Sequence, residues 1–187
     1  MNALIATIQS KIQLDKDTQE VVMAAFTERV AKKGDFLIKE AQYAQHIYFI
    51  ESGTVRTFFY HDGKEITSWI YPENLFCTTW YSFLSQQPSF EYVEVMGPSV
   101  LYEISFSDLN TLYQNYPALS EFGRKMVEEQ LSFIDYFSKG YTFLSAAERY
   151  ELLLSFFPDV EQRVNLGHVA SLLGISQETL SRIRSKK

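Results

Sequence analysis

Several classes of protein are excluded by what this sequence has little of. It contains one cysteine, Cys77, in 187 residues. One thiol cannot close an intrachain disulfide and cannot build a cysteine-based zinc or iron–sulfur site, which favours a reducing, cytoplasmic compartment. No run reaches the roughly 18 apolar residues that a membrane-spanning helix requires, and the first residues lack a signal-peptide pattern. We therefore expect a cytoplasmic protein without metal and without membrane association.

The residue patterns of enzymes are lacking as well. The sequence has no glycine-rich phosphate loop, no metal-ligand spacing and no nucleophile with an assignable base. We predict that the protein is not an enzyme.

Positive charge is scarce overall and is concentrated near the end of the chain. Residues 163–187 contain five basic residues and one acidic residue, a charge of +4, so residues 1–162 carry −10 (−6 minus +4). An acidic body with a basic end is typical of a regulator with a small DNA-binding module. The alternative is a solvated basic terminus without a partner.

Hydrophobic periodicity divides the chain into helical and strand-rich parts. Residues 3–31 follow a helical period that Asp15 interrupts, and residues 34–104 follow a strand period with turns at Asp62-Gly63 and Gly97-Pro98. Many short strands at regular spacing predict a sandwich or barrel. The aromatic insertion 74–90 is expected to be functional or to form a short helix.

A long helix is predicted from Pro117 to about residue 141. Its apolar positions include residues seven apart, a spacing that suits a coiled-coil seam against a second copy of the chain, although the helix could instead pack on its own domain. Ser145 and Glu148 form a capping-box pattern that opens the next helix. The predicted seam residues are Leu119, Phe122, Met126, Phe133 and Phe137.

Residues 166–185 have the pattern of two crossed helices joined by a tight turn. Gly174 suits the positive φ of that turn, Ala170 permits close crossing, and Ser176 can cap the second helix. The alternative is an ordinary helical hairpin. If the second helix enters the major groove of DNA, its early polar residues face bases and the later basic residues contact phosphates. The predicted DNA-binding residues are Ser176, Gln177, Glu178, Ser181, Arg182, Arg184, Lys186 and Lys187.

From about residue 20 to its end, the chain resembles the Crp/Fnr family of bacterial regulators. The segment IYFIESGTVR, with the hairpin that follows it, resembles the cyclic nucleotide-binding β-roll, and GISQETLSRI resembles the family's recognition helix. The resemblance implies an α+β protein with a jelly-roll sensor domain (1–116), a dimerisation helix and hinge (117–144) and a helix-turn-helix domain (145–187). It also implies a homodimer that binds a palindromic DNA operator and can contact RNA polymerase.

The sequence departs from the cyclic-AMP-binding members of that family. Cys77-Thr78 stands where the resemblance implies a Gly-Glu pair, and Glu91 lies where it implies an arginine for the phosphate. Burying an anionic phosphate without a cation is costly, so we expect no cyclic AMP and no other named cofactor. An uncharged or apolar effector, or the pocket's own side chains, would fill a site lined by Phe76, Thr78, Thr79, Trp80, Phe90, Tyr92 and Ile134.

The segment 158–165 is too short for the β-hairpin wing of the family's DNA-binding domain. We expect fewer phosphate contacts and a weaker salt dependence of DNA binding than a winged member would have. A ligand-sensing or protein-interaction module whose helix-turn-helix no longer binds DNA is the alternative function.

Overall fold

The structure, a computed structural model, describes residues 2–185 apart from the side chains of Asn2 and Tyr141. Two helices precede a β-rich body, a short helix interrupts it, and further helices follow. The helices are α1 (Asn2–Gln9), α2 (Lys16–Ala25), α3 (Trp80–Ser85), α4 (Phe106–Asn115), α5 (Pro117–Phe143), α6 (Ala146–Phe156), α7 (Val160–Arg163), α8 (Leu166–Leu172) and α9 (Gln177–Arg184). The strands are β1 (Thr27–Ala31), β2 (Phe36–Ile38), β3 (His46–Ser52), β4 (Val55–His61), β5 (Lys64–Tyr71), β6 (Phe76–Cys77), β7 (Tyr92–Val95) and β8 (Ser99–Ser105).

The strands form a β-roll of two antiparallel four-stranded sheets, ordered β1-β8-β3-β6 and β2-β7-β4-β5. The predicted hairpin between β4 and β5 is confirmed, because Asp62 and Gly63 both adopt positive φ, as a tight hairpin turn requires. Together with the flanking helices this is an α+β fold, and the predicted fold class is confirmed.

The helix predicted over residues 3–31 is partly wrong. Asp15 caps α2 by accepting a hydrogen bond from the Thr18 backbone, as expected, but the helix ends at Ala25. After Phe26, residues 27–31 form β1, which pairs with β8 from Thr27 opposite Glu103 to Ala31 opposite Ser99. Pairing with a strand some 70 residues away along the chain overrides the local helical period here.

Two hydrophobic cores organise the described residues. The first fills the β-roll and continues to α1, α2, α4 and α5, and it includes Cys77, whose thiol is fully buried. Burial raises the pKa of that thiol above its ordinary value. The second core joins α6–α9 to Ile70 and Met96 of the β-roll, so the C-terminal helices pack on the sheet instead of standing apart. Within residues 2–185, no helix is both long and apolar enough to cross a membrane.

Candidate effector cavity and nucleic-acid interface

A cavity of about 300 Å³ lies between the β-roll and α5, and we call it the α5 cavity. Helix α5 crosses the sheet here without closing the space. Its walls come from β4, β5, the β6–α3 segment, the residue before β7 and α5. The lining residues are Thr57, Ser68, Trp69, Tyr71, Thr78, Trp80, Tyr81, Glu91, Gln130, Phe133, Ile134, Phe137 and Ser138.

Glu91 is the acidic group of this cavity. The Ser68 hydroxyl donates a 2.5 Å hydrogen bond to its Oε1. Ser68 can do so because the pairing of β4 with β5 shifts register between Thr57 and Phe58, which makes Ser68 the additional residue of a β-bulge. Burial raises the pKa of Glu91, and the bond from Ser68 opposes that shift only in part.

Aromatic rings form the wall on the side of α5. Trp69 meets Phe133 and Phe137 edge-on, with ring centroids 5.2 and 4.7 Å apart. Trp69 also packs against both hydrophobic cores. The same indole therefore contacts the α5 cavity and the packing that holds the C-terminal helices.

The predicted pocket residues are distributed over several places. Thr78, Trp80 and Ile134 line the α5 cavity. Phe76 is buried in the first core, and Thr79 is buried as the N-cap residue of α3. Phe90 is exposed and packs against Tyr81 and Phe59, while Tyr92 points to the outer face of its sheet and stacks on Phe58.

Ring packing explains two of the corrections to the predicted lining. Tyr92, the first residue of β7, stacks on Phe58 with ring centroids 4.9 Å apart and so lies away from the cavity. Phe76 is drawn into the core by Phe49 and Phe122, with ring centroids 5.1 and 5.8 Å away. Sequence reasoning missed Ser68 and Trp69, whose inward placement depends on the bulge.

The residues predicted to form the dimer seam lie on the face of α5 that packs against the rest of the same chain. Leu119, Phe122 and Phe137 are buried within their own chain, and Met126 and Phe133 are partly buried against the β-roll side. A different stripe of α5 is exposed at three- and four-residue spacing, and its apolar members are Val127, Leu131 and Ile134, with exposed fractions of 45, 66 and 50 %. The sequence period could not distinguish these faces, because both are apolar.

Helices α8 and α9 confirm the predicted pair of helices joined by a turn. Gly174 has a φ of 66° in that turn, and the Ser176 side chain accepts a hydrogen bond from the Thr179 backbone to cap α9. Leu173 and Leu180 are buried at the crossing, at 0 and 1 % exposure. The pair therefore has its own tightly packed interior.

The polar face of α9 points to solvent at its start. Gln177, Glu178, Ser181 and Arg182 are exposed, and so is Ser176. The guanidinium of Arg184 instead forms an ion pair with Glu161 of the same chain, with Nε 2.7 Å from Oε1. Lys186 and Lys187 lie outside the described residues.

A buried charge network holds α8 against the outer face of the β2-β7-β4-β5 sheet. Arg56 of β4 is 1 % exposed, and its guanidinium donates to Glu65 and Glu94, each at 2.6 Å. It also donates to Nδ1 of His168 on α8 at 2.6 Å. Burial and the nearby charge of Arg56 lower the pKa of His168, which keeps its imidazole neutral and able to accept this bond.

Further polar contacts hold the same two parts together. The Thr67 backbone N–H donates to the Ser171 hydroxyl of α8 at 3.0 Å, and Arg163 pairs with Glu73, which follows β5. A charged residue inside the apolar strand VRTFFYH was the sequence signal that could have revealed Arg56. Its partners Glu65 and Glu94 come from two other strands, so the network itself could not be read from the sequence.

The comparisons with known proteins agree with this geometry. Residues 28–116 match the family model of the cyclic nucleotide-binding domain. The matched range includes the strand-side lining of the α5 cavity, with Thr57, Ser68 and Glu91, whereas the lining residues on α5 lie outside it. No curated protein is similar enough in sequence to be matched.

Several solved structures share the fold of most of this chain. One is the catabolite activator protein of Thermus thermophilus, with 18 % identity, coverage of 96 % of this chain and 85 % of that one, and a TM-score of 0.60. Another is the c-di-GMP responsive global regulator CLP of Xanthomonas campestris, with 19 % identity, coverage of 92 and 91 %, and a TM-score of 0.67. FixK2 of Bradyrhizobium japonicum has 17 % identity, coverage of 86 and 83 %, and a TM-score of 0.71. At these identities the likeness establishes a shared fold.

Proposed function

We propose that this chain is a DNA-binding transcription regulator of the Crp/Fnr type, in which the cyclic nucleotide-binding domain senses an effector and α9 reads DNA. The observation that carries the proposal is the exposure of the first polar residues of α9 while Leu180 on its other face is buried. A recognition helix needs this division, because one face must hold the motif and the other must enter the major groove. Such a regulator would also contact RNA polymerase.

The DNA-reading role is tested by selection from random DNA followed by the variant Arg182→Ala. We expect wild-type protein to enrich an inverted repeat with half-sites about 34 Å apart. Removing a guanidinium that contacts a base should relax preference at one position by about 1–3 kcal/mol. Lys16→Ala, which removes a positive charge from an exposed residue at the start of α2, is the control for a general loss of charge.

A selection that enriches no repeat would count against DNA reading. An Arg182→Ala variant that weakens binding to all sequences equally would assign Arg182 to phosphate contact instead.

We propose further that the regulator is a homodimer joined through the exposed stripe of α5. Val127, Leu131 and Ile134 present an apolar line along a helix of 27 residues, which suits pairing with the same helix of a second chain. Ile134 belongs to this stripe and also lines the α5 cavity. The cavity therefore reaches the dimer face, so a bound effector and the partner helix would meet there.

Replacing Leu131 with aspartate should convert the dimer to a monomer at micromolar concentration, because a charge would be buried in the seam without a partner. Ser132→Asp places the same charge on the exposed side next to the stripe and should leave the dimer intact. Sedimentation equilibrium of both variants measures the mass directly. A Leu131→Asp protein that remains dimeric would place the interface elsewhere.

Cyclic AMP is not the effector in this proposal. The α5 cavity presents Glu91 and, among the described residues that line it, no lysine, arginine or histidine. A cyclic phosphate would have to be desolvated near a carboxylate, which is unfavourable for both groups.

A second candidate function is a ligand-sensing module that does not bind DNA. The network of Arg56 and His168 favours it, since α8 is fastened to the β-roll and its freedom to position α9 is reduced. This candidate predicts stabilisation by a ligand with no affinity for DNA at moderate salt, whereas the regulator shows affinity for its selected repeat under the same conditions.

A further inference from the structure

We propose that the α5 cavity binds an organic ammonium ion, an amine whose cationic head pairs with Glu91 and whose apolar body lies among the aromatic rings. This inference rests on the proposed function only in treating the β-roll as the sensor. It concerns what the cavity recognises, and its test is independent of whether α9 binds DNA.

The first argument is the unmatched negative charge. Glu91 is partly buried, and within residues 2–185 the hydrogen bond that its carboxylate accepts comes from the neutral Ser68 hydroxyl at 2.5 Å. A carboxylate has two oxygens and several acceptor positions. A partly desolvated carboxylate with a single neutral donor is poorly compensated, and a ligand N–H⁺ group would supply both the opposite charge and the missing donors.

The second argument is the aromatic surround. Six aromatic side chains line the same cavity as Glu91: Trp69, Tyr71, Trp80, Tyr81, Phe133 and Phe137. The faces of such rings attract cations, most strongly in desolvated sites, and tryptophan is the best of them. An aromatic enclosure with one carboxylate is thus complementary to a cation that carries apolar groups, and it disfavours anions.

The third argument is size and polarity. A volume of about 300 Å³ is at the lower end for small-molecule sites, which suits one ring and a short chain. Thr57, Thr78, Gln130 and Ser138 add neutral hydrogen-bonding groups to the lining. These groups can orient a small polar substituent but cannot balance a second charge on the ligand.

The test uses the full chain and three probes of nearly equal shape at neutral pH. They are 2-phenylethylamine, which is protonated, 2-phenylethanol, which is neutral, and phenylacetate, which is anionic; cyclic AMP is the fourth ligand. Affinities are measured by isothermal titration calorimetry. We expect the amine to bind at least tenfold more tightly than the alcohol, and we expect neither anion to bind.

In the variant Glu91→Gln, the affinity for 2-phenylethylamine should fall to that for 2-phenylethanol. Because burial raises the pKa of Glu91 in the folded protein, ionised Glu91 contributes unfavourably to stability above that pKa. The glutamine variant should therefore fold at least as stably at neutral pH, as thermal unfolding would show. Glu40→Gln makes the same change at an exposed residue and should leave the amine preference unchanged.

Comparable affinities for the amine and the alcohol, binding of phenylacetate or cyclic AMP, or no binding of the amine by wild-type protein would each overturn the assignment. If Glu91→Gln does not fold, the comparison of the probes in wild-type protein still decides it. A selected DNA repeat without amine binding refutes the ligand class alone, and amine binding without a selected repeat refutes the DNA-reading function alone.

Discussion

Replacing Arg56 with alanine is expected to lower the free energy of unfolding of the full chain by about 3–5 kcal/mol at neutral pH. The guanidinium is the shared partner of Glu65, Glu94 and His168, and its side chain is 2 % exposed. Its removal leaves two carboxylates close together without a cation, beneath α8. Urea unfolding of wild-type and variant protein measures the loss.

A triple variant distinguishes the lost charge balance from lost packing. Arg56→Met with Glu65→Gln and Glu94→Gln removes all three charges and keeps most of the volume, so much of the stability should return. A loss below about 1 kcal/mol in Arg56→Ala, which is ordinary for exposed pairs, would show that the network does not hold α8 to the sheet.

Replacing Leu180 with alanine is expected to cost about 2–5 kcal/mol and to abolish DNA binding. Leu180 of α9 is 1 % exposed and packs in the second core. Truncation leaves a cavity where α9 crosses α8, so α9 loses its fixed orientation. Chemical unfolding measures the cost, and a gel-shift assay with the selected repeat measures the binding.

The neighbouring change Ser181→Ala is the matched control, since Ser181 is exposed on the same helix. It should alter stability by less than about 0.5 kcal/mol and affect only contacts to DNA. If Leu180→Ala bound the repeat with wild-type affinity, α9 would not be the element that reads DNA.

The Arg56 network and the core around Leu180 both hold the C-terminal helices against the β-roll. The charge network fixes α8 on the outer face of the sheet, and Trp69 packs between the α5 cavity and the second core. A ligand bound in the cavity as proposed would contact the same indole that packs against the C-terminal helices. Its effect would then reach α8 and α9 through direct packing, without any long-range pathway.

Much of the secondary structure was predictable because it depends on interactions between near neighbours. Asp62 and Gly63 adopt the backbone that a tight hairpin requires, and Ser145 with Glu148 forms the expected capping box. The cap at Ser176 and the turn at Gly174 are local in the same way.

The exposed face of α5, the strand β1 and the lining of the cavity were predicted wrongly or only in part. Both stripes of α5 are apolar, and only the position of the β-roll decides that Phe122 and Phe137 are covered while Leu131 is not. The inward turn of Ser68 depends on a bulge opposite β4. Such features need partners from distant parts of the chain.

The sequence by itself determined that this chain has a sandwich of short strands, a long helix and a final pair of crossed helices with polar residues leading the second. Hydrogen bonds within a few residues and the backbone preferences of glycine, serine and aspartate are sufficient for that. Only the tertiary structure decided which apolar face remains free and that Glu91 shares a cavity with aromatic rings. It also decided that Arg56 fastens α8 to the sheet, because burial and charge pairing are set by residues that folding brings together from separate strands and helices.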